Sequence, residues 1–196
     1  MYIGDILRMR EVEKYFPPGS GMCLDAGSGD NIYKNMVEGK GYWWHGIDLN
    51  PKPPAVNGDV TNIPFPEDHF EAVLCVDVLE HVPEDTKALK ELHRVLKSDG
   101  QLILHTPNSE QTHILAQFPD NPDHVRKGYR ANELKNMLMA AGFSSEIRPT
   151  FNVLCCLAWE LANLRQIDGI MLKRLMDFEI ESFKNLGWII VCRKRL

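Results

Sequence analysis

The chain has 196 residues, of which 44% are apolar and 25% charged, and its formal net charge is −5. That length suits one domain with a sizeable core, and the acidic balance argues against nucleic acid or an anionic membrane as partner. The five cysteines (Cys23, Cys75, Cys155, Cys156, Cys192) contain no C-x-x-C pair, which excludes a recognisable zinc or disulfide framework. No apolar run reaches membrane-spanning length, and Met1 to Asp5 does not open a signal peptide, so a cytoplasmic protein is expected.

Short apolar runs alternate with amphipathic segments, which predicts an α/β fold with a mostly parallel sheet. Ile3 to Phe16 reads as a leading helix stopped by Pro17-Pro18-Gly19. Met22 to Ala26 is a first strand running into Gly27-Ser28-Gly29. Trp43 to Leu49 is a second, Val56 begins a short third, and Ala72 to Val76 is a fourth, apolar enough to be buried on both faces. Asp85 to Leu96 has helical spacing at Leu89, Leu92 and Leu96, with Ser98-Asp99-Gly100 as its end, and Gln101 to His105 is a fifth strand. Ala131 to Ala141 is a helix ended by Gly142. Phe143 to Arg148 and Trp188 to Cys192 complete the strands, and Asn152 to Phe183 is a mostly helical excursion between them. With no repeat and no linker, 1–196 is predicted to be a single domain carrying a helical insertion at about 151–187.

The chemistry begins where the first strand ends, in Asp25-Ala26-Gly27-Ser28-Gly29. Glycines there allow a tight turn that brings backbone N–H groups against a ligand. The second strand ends in Gly46-Ile47-Asp48, at the spacing where an acid accepts hydrogen bonds from ribose hydroxyls. A simple tight turn would explain the glycines alone; the coupled acid points to a nucleoside. A dinucleotide site wants a third glycine where Ile32 stands, and Asp30 would repel a pyrophosphate. Asp25 instead suits an ammonium group. S-adenosylmethionine carries an ammonium and a sulfonium and no phosphate, so the local charges favour it over NAD.

These segments, with Gly58-Asp59-Val60, Ile63-Pro64-Phe65-Pro66, Cys75 to His81 and the stretch from Ala88 to Thr106, resemble the ordered motifs of the class I S-adenosylmethionine-dependent methyltransferases. Within that class the chain is most similar to the small-molecule group that includes the ubiquinone-pathway O-methyltransferases, over about residues 20 to 145. The resemblance implies a Rossmann-like three-layer sandwich: a seven-stranded, mostly parallel sheet with an antiparallel last strand. It implies that Asp25 and the Gly27, Ser28 and Gly29 backbone hold the methionine end of the cofactor. Asp48 would bind the ribose beside Leu49, Asp59 and Val60 would meet the adenine, and Val76 and Asp77 would lie beside the ammonium and the transferable methyl. Asp30 and Asn31 stand where many members have another glycine, which predicts a looser turn, and Glu71 stands where many have aspartate.

Methyl transfer needs an aligned nucleophile and the exclusion of water, and a hydroxyl acceptor gains from a histidine base. His81, His105 and His124 are the candidates, with His124 and His81 taken as catalytic; each could equally be a hydrogen-bonded histidine that fixes a loop. Some relatives hold a metal with two acids and a histidine in the positions of Asp77, Glu80 and His81; here no metal is expected, because Asp77 is one methylene shorter than glutamate. Phe118, Tyr129, Phe151, Trp159 and Phe178 either line an acceptor pocket or pack the core. Arg126, Lys127 and Arg130 beside His124 suggest an anionic small-molecule acceptor, a solvated loop being the plainer alternative. The reading is a methyltransferase acting on a small molecule or glycan precursor. Its rivals are a catalytically silent relative of the fold and a nicotinamide-dependent oxidoreductase.

Overall fold

The computed structural model describes residues 3–109, 124–150 and 187–195. The helices are α1 (Ile3–Tyr15), α2 (Lys34–Gly39), α3 (Asp85–Val95) and α4 (Ala131–Ala140). The strands are β1 (Gly21–Ala26), β2 (Tyr42–Asp48), β3 (Val56–Asn57), β4 (Phe70–Val76), β5 (Leu96–Pro107), β6 (Phe143–Pro149) and β7 (Gly187–Lys194). They form one seven-stranded sheet in the order β3-β2-β1-β4-β5-β7-β6. The pairs from β3 to β5 are parallel, and β7 lies antiparallel between β5 and β6.

Alternation along each strand sorts the core into two layers. Leu24, Val73, Cys75, Leu102 and Leu104 face α3 and α4, where Leu89, Leu92, Leu134 and Leu138 are buried. Cys23, Ala72, Leu74 and Ile103 face the opposite way, against Val12 and Phe16 near the end of α1 and Val37 of α2. This is the three-layer sandwich expected. The proposed insertion at 151–187 lies outside the described residues, except that Gly187 already belongs to β7.

The short helix α2 follows the glycine turn, where the sequence reading set no bounds for it. One detail differs from that reading. Helix α3 stops at Val95 rather than at Ser98-Asp99-Gly100, because buried Leu96 is already extended and pairs with Phe70. The next described pair is Ala72 with Gln101, so Lys97 to Gly100 form an irregularity inside β5. Gly142, at φ +95°, ends α4 as expected.

Candidate cofactor and acceptor site

The parallel register aligns the strand ends that matter. Asp25 sits opposite Gly46, Ile47 opposite both Ala26 and Val56, and Val76 opposite His105. Asp25, Asp48, Asp59 and Asp77 therefore gather at the carboxyl edge of the sheet, where open α/β sheets place their ligands.

Gly27 has φ +80°, and a side chain there would collide with Val78 Cγ2. Gly29 has φ +47°, and a Cβ there would have no neighbour within 4 Å. The first glycine is required by the fold; the second faces open space. Asn31 takes the left-handed conformation at φ +58°, and its side-chain amide donates to the Lys52 carbonyl at 2.8 Å. Asparagine tolerates that conformation. The turn is therefore clamped, not loosened as expected from Asp30 and Asn31 standing in place of another glycine. Asp30 pairs with Lys52 across the same gap.

The Asp25 carboxyl is 2% exposed and accepts a hydrogen bond from Trp44 Nε1 at 3.0 Å. Burial pushes it up to about 7; the Trp44 N–H pulls it down and the Asp48 charge pushes it up. Asp48 Oδ2 accepts from the Gly29 N–H at 3.0 Å, and Oδ1 from the Asn50 N–H at 2.9 Å. The acid is thus tied to the glycine turn it was expected to accompany. Leu49 is 66% exposed, while Asp59 is exposed and accepts from the Thr61 N–H at 2.7 Å. Val60 is buried in the core with Ile47 and Ile63.

Asp77 has φ +53° and is gripped from two sides, by the Arg8 guanidinium of α1 and by His105 Nδ1 of β5. Burial raises its carboxyl, but the His105 charge and hydrogen bond, with Arg8 and His81, outweigh burial and hold it below the usual range. Arg8 and Trp44 carried no motif signal. Trp44 was nevertheless readable from strand periodicity, because it lies two residues before Gly46 on the face that carries Asp25.

The two candidate catalytic histidines meet. The His81 and His124 rings are 4.5 Å apart, edge to face, held by Val125 and Arg126 N–H groups donating to the Glu80 carbonyl at 2.9 and 3.3 Å. Glu80 is fully buried beneath them, accepts from Thr106 Oγ1 at 3.2 Å, and leaves Oε1 without a partner among the described residues. Burial, and then the Asp77 charge, push this carboxyl up to about 8. One ligand atom from each of Glu80, His81 and His124 lies within 4.8 Å of the others. That set differs from the Asp77, Glu80 and His81 triplet weighed from the sequence: Asp77 turns to His105 and Arg8, and His124 takes its place.

The basic loop is not built as an anion cradle around Arg126. Its guanidinium pairs with Asp85 at 2.9 Å and with Glu133, and stacks 3.9 Å from the Tyr129 ring centroid. Tyr129 is fully buried, with its hydroxyl 3.0 Å from Asp85 Oδ2 and 3.1 Å from the Leu79 carbonyl, so it packs the core and does not line a pocket. Phe118, Phe151, Trp159 and Phe178 lie outside the described residues.

Sheet order and strand-end acids together define a Rossmann-like methyltransferase fold. An S-adenosylmethionine-dependent methyltransferase from Archaeoglobus fulgidus has the same architecture, with a TM-score of 0.71 at 19% identity, over 95% of this chain and 92% of that one. A family model described as a methyltransferase domain matches residues 5–146, and the chain belongs to that family. A probable S-adenosylmethionine-dependent methyltransferase of Mycobacterium tuberculosis is 30% identical over 93 residues, 47% of this chain and 34% of the relative. A ubiquinone biosynthesis O-methyltransferase of Pseudomonas aeruginosa is 28% identical over 145 residues, 61% of this chain and 62% of the relative. The chain spans about half or less of the length of the first curated relatives it matches.

Proposed function

We propose that the chain transfers a methyl group from S-adenosylmethionine to an oxygen, nitrogen or carbon nucleophile on a small molecule or glycan precursor. The observation that carries this reading is the convergence of buried Asp25, the Asp48–Gly29 hydrogen bond and the open space over Gly29 on one edge of the sheet. Ser28 supports the fit, because its hydroxyl is buried without a partner among the described residues and can serve a polar ligand. In this reading Asp25 takes the ammonium, the Gly27 to Gly29 backbone the methionine end, and Asp48 the ribose. Leu49 and Asp59 face the adenine, with Val60 supporting them from the core. Val76 and Asp77 border the methyl. When bound, the cofactor supplies an electrophilic methyl carbon; the protein orients the nucleophile and keeps water away.

His124, backed by His81, is the group we assign to hold or remove the acceptor's proton. Glu80, His81 and His124 are also spaced as a metal site would be; we assign base chemistry without metal, and a chelator test of turnover separates the two. A silent, cofactor-binding relative is the rival reading. Calorimetry with S-adenosylhomocysteine, followed by an acceptor screen reading its formation, tests both steps. Folded protein giving no binding heat would refute the cofactor site, and binding with no turnover on any acceptor would favour the silent relative. A cytoplasmic setting belongs to the same proposal, supported by unbridged, buried Cys23, Cys75 and Cys192. Among the described residues, no helix is long and apolar enough to cross a membrane.

A further inference from the structure

We propose that Trp44 is a positioning residue of this site: its indole N–H fixes the Asp25 carboxylate toward the cofactor's ammonium, and its ring seals that carboxylate from water. The inference rests on the cofactor reading above. Three observations carry it. Trp44 Nε1 donates to Asp25 Oδ2 at 3.0 Å across the β1–β2 pair, between residues that the register places on one face. The ring edge occupies the space a side chain at Gly46 would fill, since a Cβ there would overlap Trp44 Cη2 and Cζ2. That same point is 2.9 Å from Ser28 Oγ, the buried hydroxyl without a partner among the described residues. Indole and hydroxyl thus converge on the bare α-carbon of Gly46, the residue that pairs with Asp25, which gives that glycine a role of its own at the strand end.

Phenylalanine would fill the space but could not donate. A carboxylate that is 2% exposed has little water to replace a lost donor. Among the described residues, the titratable groups coupled to Asp25 are Asp48 from β2, Cys23 from its own strand and Cys75 from β4. None of these is a cation, and the indole N–H is the side-chain donor that favours the ionised form. Losing it raises the pH at which Asp25 ionises. Because the ammonium binds the ionised carboxylate, affinity for the cofactor rises with pH through that midpoint, and the midpoint moves up in the variant.

The first test needs no cofactor. Carboxyl-carbon NMR follows the Asp25 titration in wild type, Trp44→Phe and Gly46→Ala, with Asp25→Ala assigning the signal. Trp44→Phe should raise the midpoint by about one pH unit, and Gly46→Ala, which pushes the indole aside, should move it the same way. The second test measures S-adenosylhomocysteine affinity by calorimetry between pH 6 and 8. Trp44→Phe should weaken binding about tenfold at pH 7, and the loss should shrink to within about twofold when Asp25 is already alanine. An unmoved midpoint in a folded variant overturns the proposal, as does an affinity loss that persists undiminished in the Asp25→Ala background. If Trp44→Phe does not fold, Gly46→Ala carries the test. If wild type binds no S-adenosylhomocysteine, the cofactor reading fails while the titration still decides the Trp44–Asp25 pairing.

Discussion

Gly27 and Gly29 stand two residues apart in one turn, yet substituting them should have opposite consequences. Both hold left-handed backbone, so alanine at either pays about 1 kcal/mol of strain. At Gly29 the new methyl meets no atom within 4 Å, so strain is the whole cost. For a chain of this size that is a melting shift of roughly 2–4 °C. At Gly27 the methyl runs into Val78, and displacing that side chain adds about 1–3 kcal/mol, for a total shift of roughly 4–16 °C. Binding should reverse the order of importance. The open space at Gly29 is where the ligand is proposed to approach, so Gly29→Ala should lower S-adenosylhomocysteine affinity by about tenfold or more, equivalent to about 1.4 kcal/mol. Scanning calorimetry and titration calorimetry on the two variants measure both quantities. The reasoning is refuted if Gly29→Ala melts as low as Gly27→Ala, or if it binds S-adenosylhomocysteine within about twofold of wild type.

Arg126→Ala should lower stability by about 1 kcal/mol, discounted for its partial exposure, and leave the KM for an acceptor unchanged, because Asp85, Glu133 and Tyr129 already engage the guanidinium; a large KM rise would restore the anion site. His124→Ala should lower kcat on a hydroxyl acceptor by about 10²-fold or more while cofactor affinity stays within twofold, and unchanged kcat would remove it as the base. Glu80 has a folded-state pKa raised from 4.5 to about 8. The folded chain thus holds the extra proton between those values, so stability falls as pH rises through that window. Urea midpoints across that window should flatten in Glu80→Gln, and an unchanged slope would show that Glu80 is ionised in the fold. Chelator should leave turnover intact, whereas loss restored by added magnesium or zinc would make Glu80, His81 and His124 a metal centre.

Local signals were enough for the α/β alternation, the strand that carries Asp25, the strand-end position of Asp48 and the stop at Gly142. Each is written in contiguous residues whose periodicity or backbone demand is set within a few positions. The departures came where distant residues compete. Leu96 leaves its helix because Phe70 pairs with it in the sheet, and Asn31 clamps the turn that its lack of a further glycine predicts to be loose, because the Lys52 carbonyl accepts its amide. Arg126 looked like a cation awaiting an anion until α3 and α4 brought it Asp85 and Glu133, 41 and 7 residues away. Arg8 and His105 reach Asp77 across 69 and 28 residues, and Trp44 reaches Asp25 across 19. Which residues can bind is encoded locally by side-chain type and spacing. Which of them are already bound to each other depends on register and layer packing, which only the folded sheet fixes.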